Sequence, residues 1–349
     1  MNEFIASGTL GQEPAIVKSS GALDGQAAVS QVWHSGVLAG LAWILFGLLT
    51  GVMPNHIVGF NDWLYTKELG IAGVLIGTGL LLVSPSWVQQ SGGPRLQALR
   101  SAGPWLFATP IILGLWEYLT AKTGILPVPF FAPPQSLIDV YIDDWQRLGS
   151  SVVNTLKLLA MGVAYGAVVG FLVGVSVGWS KNIGYWVHPV LRVLGPLPAT
   201  ALLPLTFYFF PSSYSAAIFL VALATGFPVA VLTWSGIASV SKSYYDVART
   251  LGASEWFLVF RVAIPAALPQ VFVGLFMGLS ASFSVLVTAE MMGVKSGLGW
   301  YLTWAQGWAS YTNMYAALIV MALLFSGLIS LLFLVRDYVL SWQKGTVKW

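Results

Sequence analysis

An all-α, polytopic membrane protein is predicted by three observations. Charged residues make up only 8 % of the 349 and hydrophobic ones 57 %, a balance that soluble domains of this size do not keep. About eight runs of roughly twenty mostly apolar residues follow one another, each long enough to cross a bilayer as a helix. Between the runs lie short polar stretches with proline and glycine, where helices stop.

Composition also excludes chemistry. Cysteine is absent, so disulfides, thiol catalysis and cysteine metal sites are ruled out. The three histidines, His34, His56 and His188, lie far apart in sequence, and no metal site is expected. A net charge of +3 is small and spread out; it does not describe a nucleic-acid surface.

Residues 1–31 are polar and lack a basic segment followed by an apolar one. A cytoplasmic tail is expected there, not a cleaved signal peptide. Residues 32–88 hold two helices, 32–53 and 69–88. Pro54 closes the first, and Trp63 and Tyr65 stand in the loop as interfacial anchors. Residues 89–103 form a basic linker with Arg95 and Arg100, a boundary by composition.

Residues 104–338 form the main transmembrane domain, and 339–349 a cytoplasmic tail. The third span is 104–121. A proline-rich and then acidic stretch leads to the fourth, 151–179. There Gly162, Gly166, Gly170, Gly174 and Gly178 recur every four residues, a ridge that lets helix backbones approach closely. Either a contact with another subunit or internal packing satisfies that pattern. The fifth span, 191–210, contains Pro196, Pro198 and Pro204. Carbonyls freed by so many prolines need partners, so this helix should line a cavity or bend around one. The remaining spans are 214–236, 267–289 and 314–335. Trp300, Trp304 and Trp308 suggest a surface helix at the interface.

Basic residues in loops mark the cytoplasmic side. With eight spans and both termini inside, Lys18, Arg95, Arg100, Lys181, Arg192, Lys242, Arg249, Arg261, Arg336, Lys344 and Lys348 face inward. Lys67, Lys122, Arg147 and Lys295 face outward. The bias puts the stretch 244–269 in the cytoplasm.

That stretch is the longest polar interruption of the second half. Ser243 and Asp246 have the spacing of a helix N-cap pair. Gly252 stands where a left-handed stop would fall. Ser254 can cap a second short helix running to about Arg261, and Pro265 and Pro269 close the unit. Ala248 and Gly252 lie on one face, leaving a shallow spot for another protein.

An acid, then Ala248, Gly252, Val262, Ile264 and Pro265 at these intervals resemble the EAA loop of the permease subunits of binding-protein-dependent ABC importers. Asp246 stands for the usual Glu, and Val247 for the first Ala. The resemblance implies that Asp246, Ala248, Arg249, Gly252, Ala253, Glu255 and Pro265 form the coupling loop that docks on an ATPase subunit. It also implies a pair of ATP-binding subunits, a second permease subunit, identical or related, and an extracytoplasmic solute-binding protein. ATP and Mg would be held by the ATPase and no cofactor by this chain. The location implied is the bacterial cytoplasmic membrane.

Further stretches resemble the nitrate, sulfonate, taurine and bicarbonate group. They are His188-Pro189 through Pro196-Leu197-Pro198 to Pro204-Leu205, Ala289-Glu290 through Gly293 to Ser296-Gly297-Leu298-Gly299, and Pro133-Pro134-Gln135-Ser136. The likeness covers roughly 104–338. Two departures bear on the substrate. Thr155-Leu156-Lys157 replaces Thr-Leu-x-Arg, and Phe209-Phe210-Pro211-Ser212 replaces Phe-Gly-x-Gly. Residues 1–103 match nothing in that group.

Within the spans, Lys157 and Glu290 are the ionisable groups of interest, because burying a charge in lipid costs roughly 3 kcal/mol on insertion scales. Both are read either as interfacial residues or as flanking an outer mouth, with Lys157 attracting an anion and Glu290 holding the glycine-rich turn after it. Ser280, Ser284 and Thr288 have helical spacing. They could line a path for a polar solute, or satisfy themselves on their own helix carbonyls. No phosphate loop and no nucleophile–base set is present, so ATP hydrolysis belongs to a separate chain. A secondary carrier working alone and a non-transporting anchor or sensor are the rival classes. The first would need midplane coupling sites or paired broken helices.

Overall fold

The computed structural model describes residues 33–56, 62–85, 93–195 and 197–343, and they are helical throughout with no strand among them. The expected N-terminal tail, residues 89–92 of the linker, residues 344–349 of the C-terminal tail, and with them Lys18, Lys344 and Lys348, lie outside the described residues. Two compact units are present. One takes Met1–Pro54 with Thr66–Tyr118, the other Asn55–Tyr65 with Leu119–Trp349.

The first unit is a small bundle of α1 (His34–Val52), α2 (Thr66–Val83), α3 (Pro94–Ser101) and α4 (Gly103–Glu117). Gly40 and Gly47 of α1 lie against the backbone at Gly77 and Gly70 of α2, so the two helices run antiparallel in close contact. The indole N–H of Trp43 donates to the Leu106 carbonyl at 3.0 Å and ties α4 to α1. The boundary between the two compact units falls after Tyr118. A composition shift marks a linker in sequence but does not report which side the next helix packs against.

The second unit contains α5 (Pro134–Asp143), α6 (Trp145–Trp179), α7 (Lys181–Leu194), a short turn Ala199–Leu202, α8 (Leu203–Phe209) and α9 (Ser213–Ala238). Then come α10 (Lys242–Thr250), α11 (Glu255–Phe257), α12 (Ile264–Met292), α13 (Leu298–Gly307) and α14 (Tyr311–Val339). The glycine ridge of α6 is internal packing. A Cβ at Gly162, Gly166, Gly170, Gly174 or Gly178 would come closer than 3.0 Å to atoms of α9. The contacts climb together, Gly162 against Val221 and Gly178 against Ile237, so α6 and α9 run parallel. On its other side α9 meets α12 in the opposite sense, Gly274 against Val229 and Gly278 against Thr225. Stacked Phe276–Phe333 and Phe283–Phe325 pairs then seat α14 on α12.

Among the described residues six helices are long and apolar enough to cross a membrane. The fifth expected span, 191–210, is not one helix. Lys181–Leu194 and Ala199–Phe209 meet at 87°, and a seventh crossing exists only if the pair counts as one. Pro198 and Pro204 explain the second piece, since a proline fits the first turn of a helix and not its middle. The third expected span continues from α4 through a widened turn, Tyr118–Lys122.

Candidate functional site

The elbow between α10 and α11 is built by backbone chemistry. Gly252 has φ +82°. Its N–H donates to the Arg249 carbonyl at 2.9 Å, and the Ala253 N–H donates to the Ala248 carbonyl at 3.0 Å. These two bonds make the glycine-terminated helix end that satisfies the last carbonyls. Ser254 then starts the next helix, its Oγ accepting from the Phe257 N–H at 3.3 Å. Arg249 reaches Glu255 across the elbow at 3.2 Å, with both side chains at least half exposed. A pair so open to water contributes less than about 1 kcal/mol.

Two sequence expectations are corrected here. Ser243 and Asp246 do not cap α10. The helix begins at Lys242, with Ser241 in the cap position and no side-chain cap bond. Ser243 is thus already helical and its hydroxyl bonds to that of Ser241, while Asp246 points to solvent. Pro265 and Pro269 do not close the unit either. The helix from Glu255 runs through a widened stretch, Leu258–Ala263, straight into α12. The wider turn gives the Pro265 ring room that a regular turn would deny it.

The sequence reading missed the apolar side of this elbow. Tyr244, Val247, Leu251, Trp256, Phe257 and Phe260 are all exposed, Leu251 at 83 % and Trp256 at 74 %. Trp256 and Phe260 stack with centroids 5.8 Å apart. Ala248 and Ala253 are half-buried beside them, and a Cβ on Gly252 would meet nothing within 4 Å. Their i, i+3 and i, i+4 spacing was available as a signal. Exposed apolar patches of this kind mark protein or membrane contacts.

A second feature lies at the break between α7 and α8. A cavity of about 340 Å³ is lined there by Leu197, Pro198, Thr200, Phe227, Ala281 and Ser284, among others. The proline-rich segment does bend around a cavity. Of the expected polar row only Ser284 reaches it. The Ser280 hydroxyl donates to the Phe276 carbonyl and that of Thr288 to the Ser284 carbonyl, both at 2.9 Å. Thr200 joins the lining from the opposite wall, unanticipated because it lies far away in sequence.

Glu290 is 1 % exposed and away from that cavity. Its carboxylate accepts from the Thr155 hydroxyl at 2.8 Å and from the Gly299 N–H at 2.8 Å. The same hydroxyl accepts from the Leu298 N–H at 2.8 Å. Gly297, at φ +100°, lets the turn press on the carboxylate, where a Cβ would overlap it. So Glu290 holds the turn after α12 to α6. Lys157 is exposed and two residues from Thr155, on another face of α6, so the two charges are not brought together.

A polar clasp continues this end. Tyr301 donates to Asp144 at 2.7 Å, Asn313 donates to the Tyr301 oxygen at 2.6 Å, and Arg147 lies 4.2 Å over Trp304. Burial holds the Tyr301 hydroxyl above its ordinary range, which keeps it a donor. Thr155→Val should leave Glu290 and the Leu298 N–H each short of a partner, at about 1–3 kcal/mol per buried group. Thermal unfolding in detergent reads this. A midpoint within a degree of the wild type would show that water replaces the hydroxyl.

The sequence resembles those of known proteins over about half of its length. A family model described as the binding-protein-dependent transport system inner membrane component matches residues 166–344. The nitrate import permease protein NrtB of Synechococcus elongatus is 28 % identical over 193 residues, covering 53 % of this chain and 69 % of that protein. The taurine transport system permease protein TauC of Escherichia coli is 31 % identical over 173 residues, covering 45 % and 61 %. A putative aliphatic sulfonates transport permease protein, SsuC of Bacillus subtilis, is 27 % identical over 166 residues, covering 47 % and 59 %. A chain of the MetNI methionine ABC transporter, in an inward-facing form, aligns with a TM-score of 0.46 at 19 % identity, covering 56 % of this chain and 94 % of that one. The matched segment is more than half of the chain and holds both the elbow and the cavity, and the chain belongs to the family of binding-protein-dependent transport system inner membrane components.

Proposed function

We propose that this chain is the permease subunit of an ATP-driven importer for a small polar anion of the nitrate, sulfonate, taurine or bicarbonate kind. The observation that carries the reading is the elbow, an exposed apolar face on both sides of a glycine-ended helix stop. The elbow docks in a cleft of a separate ATPase, with Val247, Leu251 and Trp256 as the contact and Gly252 allowing close approach. A solute-binding protein delivers substrate to the opposite face, and a second permease completes the pathway. The cavity at the helix break, with Ser284 and Thr200, is the polar step on that pathway. The anion class rests on the names of the relatives and on the stretches that resemble their group.

The deciding experiment reconstitutes the chain with its ATPase and binding protein. ATP hydrolysis should rise when the binding protein is loaded with one of nitrate, taurine or bicarbonate, and uptake of that solute should follow. No stimulation by any anion would overturn the substrate class. The orientation that places the elbow and both termini in the cytoplasm has its own test. Ser254→Cys would introduce the single thiol of a cysteine-free chain. It should resist impermeant thiol reagents in intact cells and react after lysis. Labelling in intact cells would reverse the orientation.

A further inference from the structure

We infer that a second pocket, tucked between the elbow and the span ends, binds a phosphate group, carried by the headgroup of an anionic lipid. The cavity is about 480 Å³ and is lined by Trp179, Lys181, Lys242, Tyr245, Arg249 and Glu255, among others. Its charge is unbalanced. Glu255 is already paired with Arg249 at 3.2 Å, and among the described residues no carboxylate lies within ion-pair distance of Lys181 or Lys242. Two positive charges therefore face one cavity with no counter-charge. An anion answers that field.

Depth selects the anion. Gly178 and Trp179 end α6, and Ile237, Ala238 and Val240 stand at the end of α9. The pocket thus lies where the spans meet the headgroups, the level at which basic pockets between helices take lipid phosphates. Trp179 and Tyr245 form its aromatic wall, edge to face at 5.8 Å. Burial raises the Tyr245 hydroxyl above its ordinary range against the opposing pull of Arg249, so it remains a hydrogen-bond donor. On the adjoining α7, Tyr185 and Trp186 are exposed at 73 % and 76 %, side chains suited to the same interfacial layer. The inference stands apart from the transport reading, because binding is measured without transport.

The test uses the full chain in detergent and follows its thermal midpoint. Short-chain phosphatidylglycerol, phosphatidylcholine and inorganic phosphate are titrated at matched ionic strength. Phosphatidylglycerol should raise the midpoint and phosphatidylcholine should not. Lys181→Gln with Lys242→Gln should weaken the phosphatidylglycerol response at least tenfold while leaving the lipid-free midpoint in place. Each single substitution should give a partial loss, which keeps the test open if the double variant folds poorly. A lysine-dependent shift with inorganic phosphate alone would keep the phosphate site and change its carrier. Equal shifts with both lipids, no shift, or an unchanged response in the lysine variants would each overturn the site. So would loss of the lipid response once a cognate ATPase is bound, since that assigns the lysines to a protein interface.

Discussion

Gly252→Trp is expected to abolish substrate-stimulated ATP hydrolysis and uptake while leaving a folded, inserted protein. Gly252 sits at φ +82°, so any side chain costs about 1 kcal/mol of backbone strain. That is small beside the roughly 5–15 kcal/mol that holds a domain together. Among the described residues nothing lies within 4 Å of the added Cβ, so the side chain leaves the backbone into open space. The indole would project from the apolar elbow beside Leu251 and hold the ATPase surface away. Gly252→Asn should lie between, because Asn adopts the left-handed conformation with less strain and adds less bulk. The reading is ATPase activity of the reconstituted complex, with and without loaded binding protein. Normal transport by Gly252→Trp would show that the elbow is not the coupling surface.

Gly170→Leu should have the opposite profile, failing before any transport can be measured. A Cβ there would overlap the Gly226 carbonyl oxygen and lie 2.9 Å from the Gly226 Cα. Both are backbone atoms of a parallel neighbour and cannot swing aside as a side chain would. Overpacking by a methylene or so already costs about 1–3 kcal/mol, and here a whole side chain must force the helices away from each other. The α6–α9 seam continues through four more glycines, so the separation would spread along it. Gly327→Leu, with nothing within 4 Å, is the matched control and should fold normally. Yield and monodispersity after extraction decide the matter. Equal behaviour of the two variants would mean that the seam yields more than its geometry allows.

These two glycines show what the sequence displays and what it withholds. The four-residue recurrence in α6 announces a close helix contact, because only small residues permit it. The partner is invisible, since nothing in 162–178 names Gly226 or Ala230. Gly252 was legible as a stop because a left-handed residue followed by a capping serine is local chemistry. Asp246 misled because a cap depends on where the first helical residue falls, and α10 starts one residue before Ser243. Pro265 misled because a helix can widen its turn to admit a proline. Glu290 and Gly299 are nine residues apart and readable as one turn. Thr155 lies 135 residues from Glu290 and needs the fold. The exposure of Leu251 and Trp256 needs the fold, because an apolar residue in a membrane-protein sequence is read as facing lipid or core until its neighbours are known.

From the elbow to the Glu290 turn there is no loop. One helical rod of 38 residues runs from Glu255 to Met292, about 57 Å at the ordinary rise per residue. In the proposed complex its ends are gripped by different things, the ATPase surface at one and the buried Glu290 carboxylate at the other. A rod held that way behaves as a lever. Tilting it by about 5° around its middle carries each end about 2.5 Å in opposite directions, enough to break or remake a hydrogen bond at the far end. The widened turn at Leu258–Ala263 is the soft point near its driven end. Stiffening that turn with regular helix formers should make the stroke more direct, and softening it should let the elbow end move while the Glu290 turn stays still.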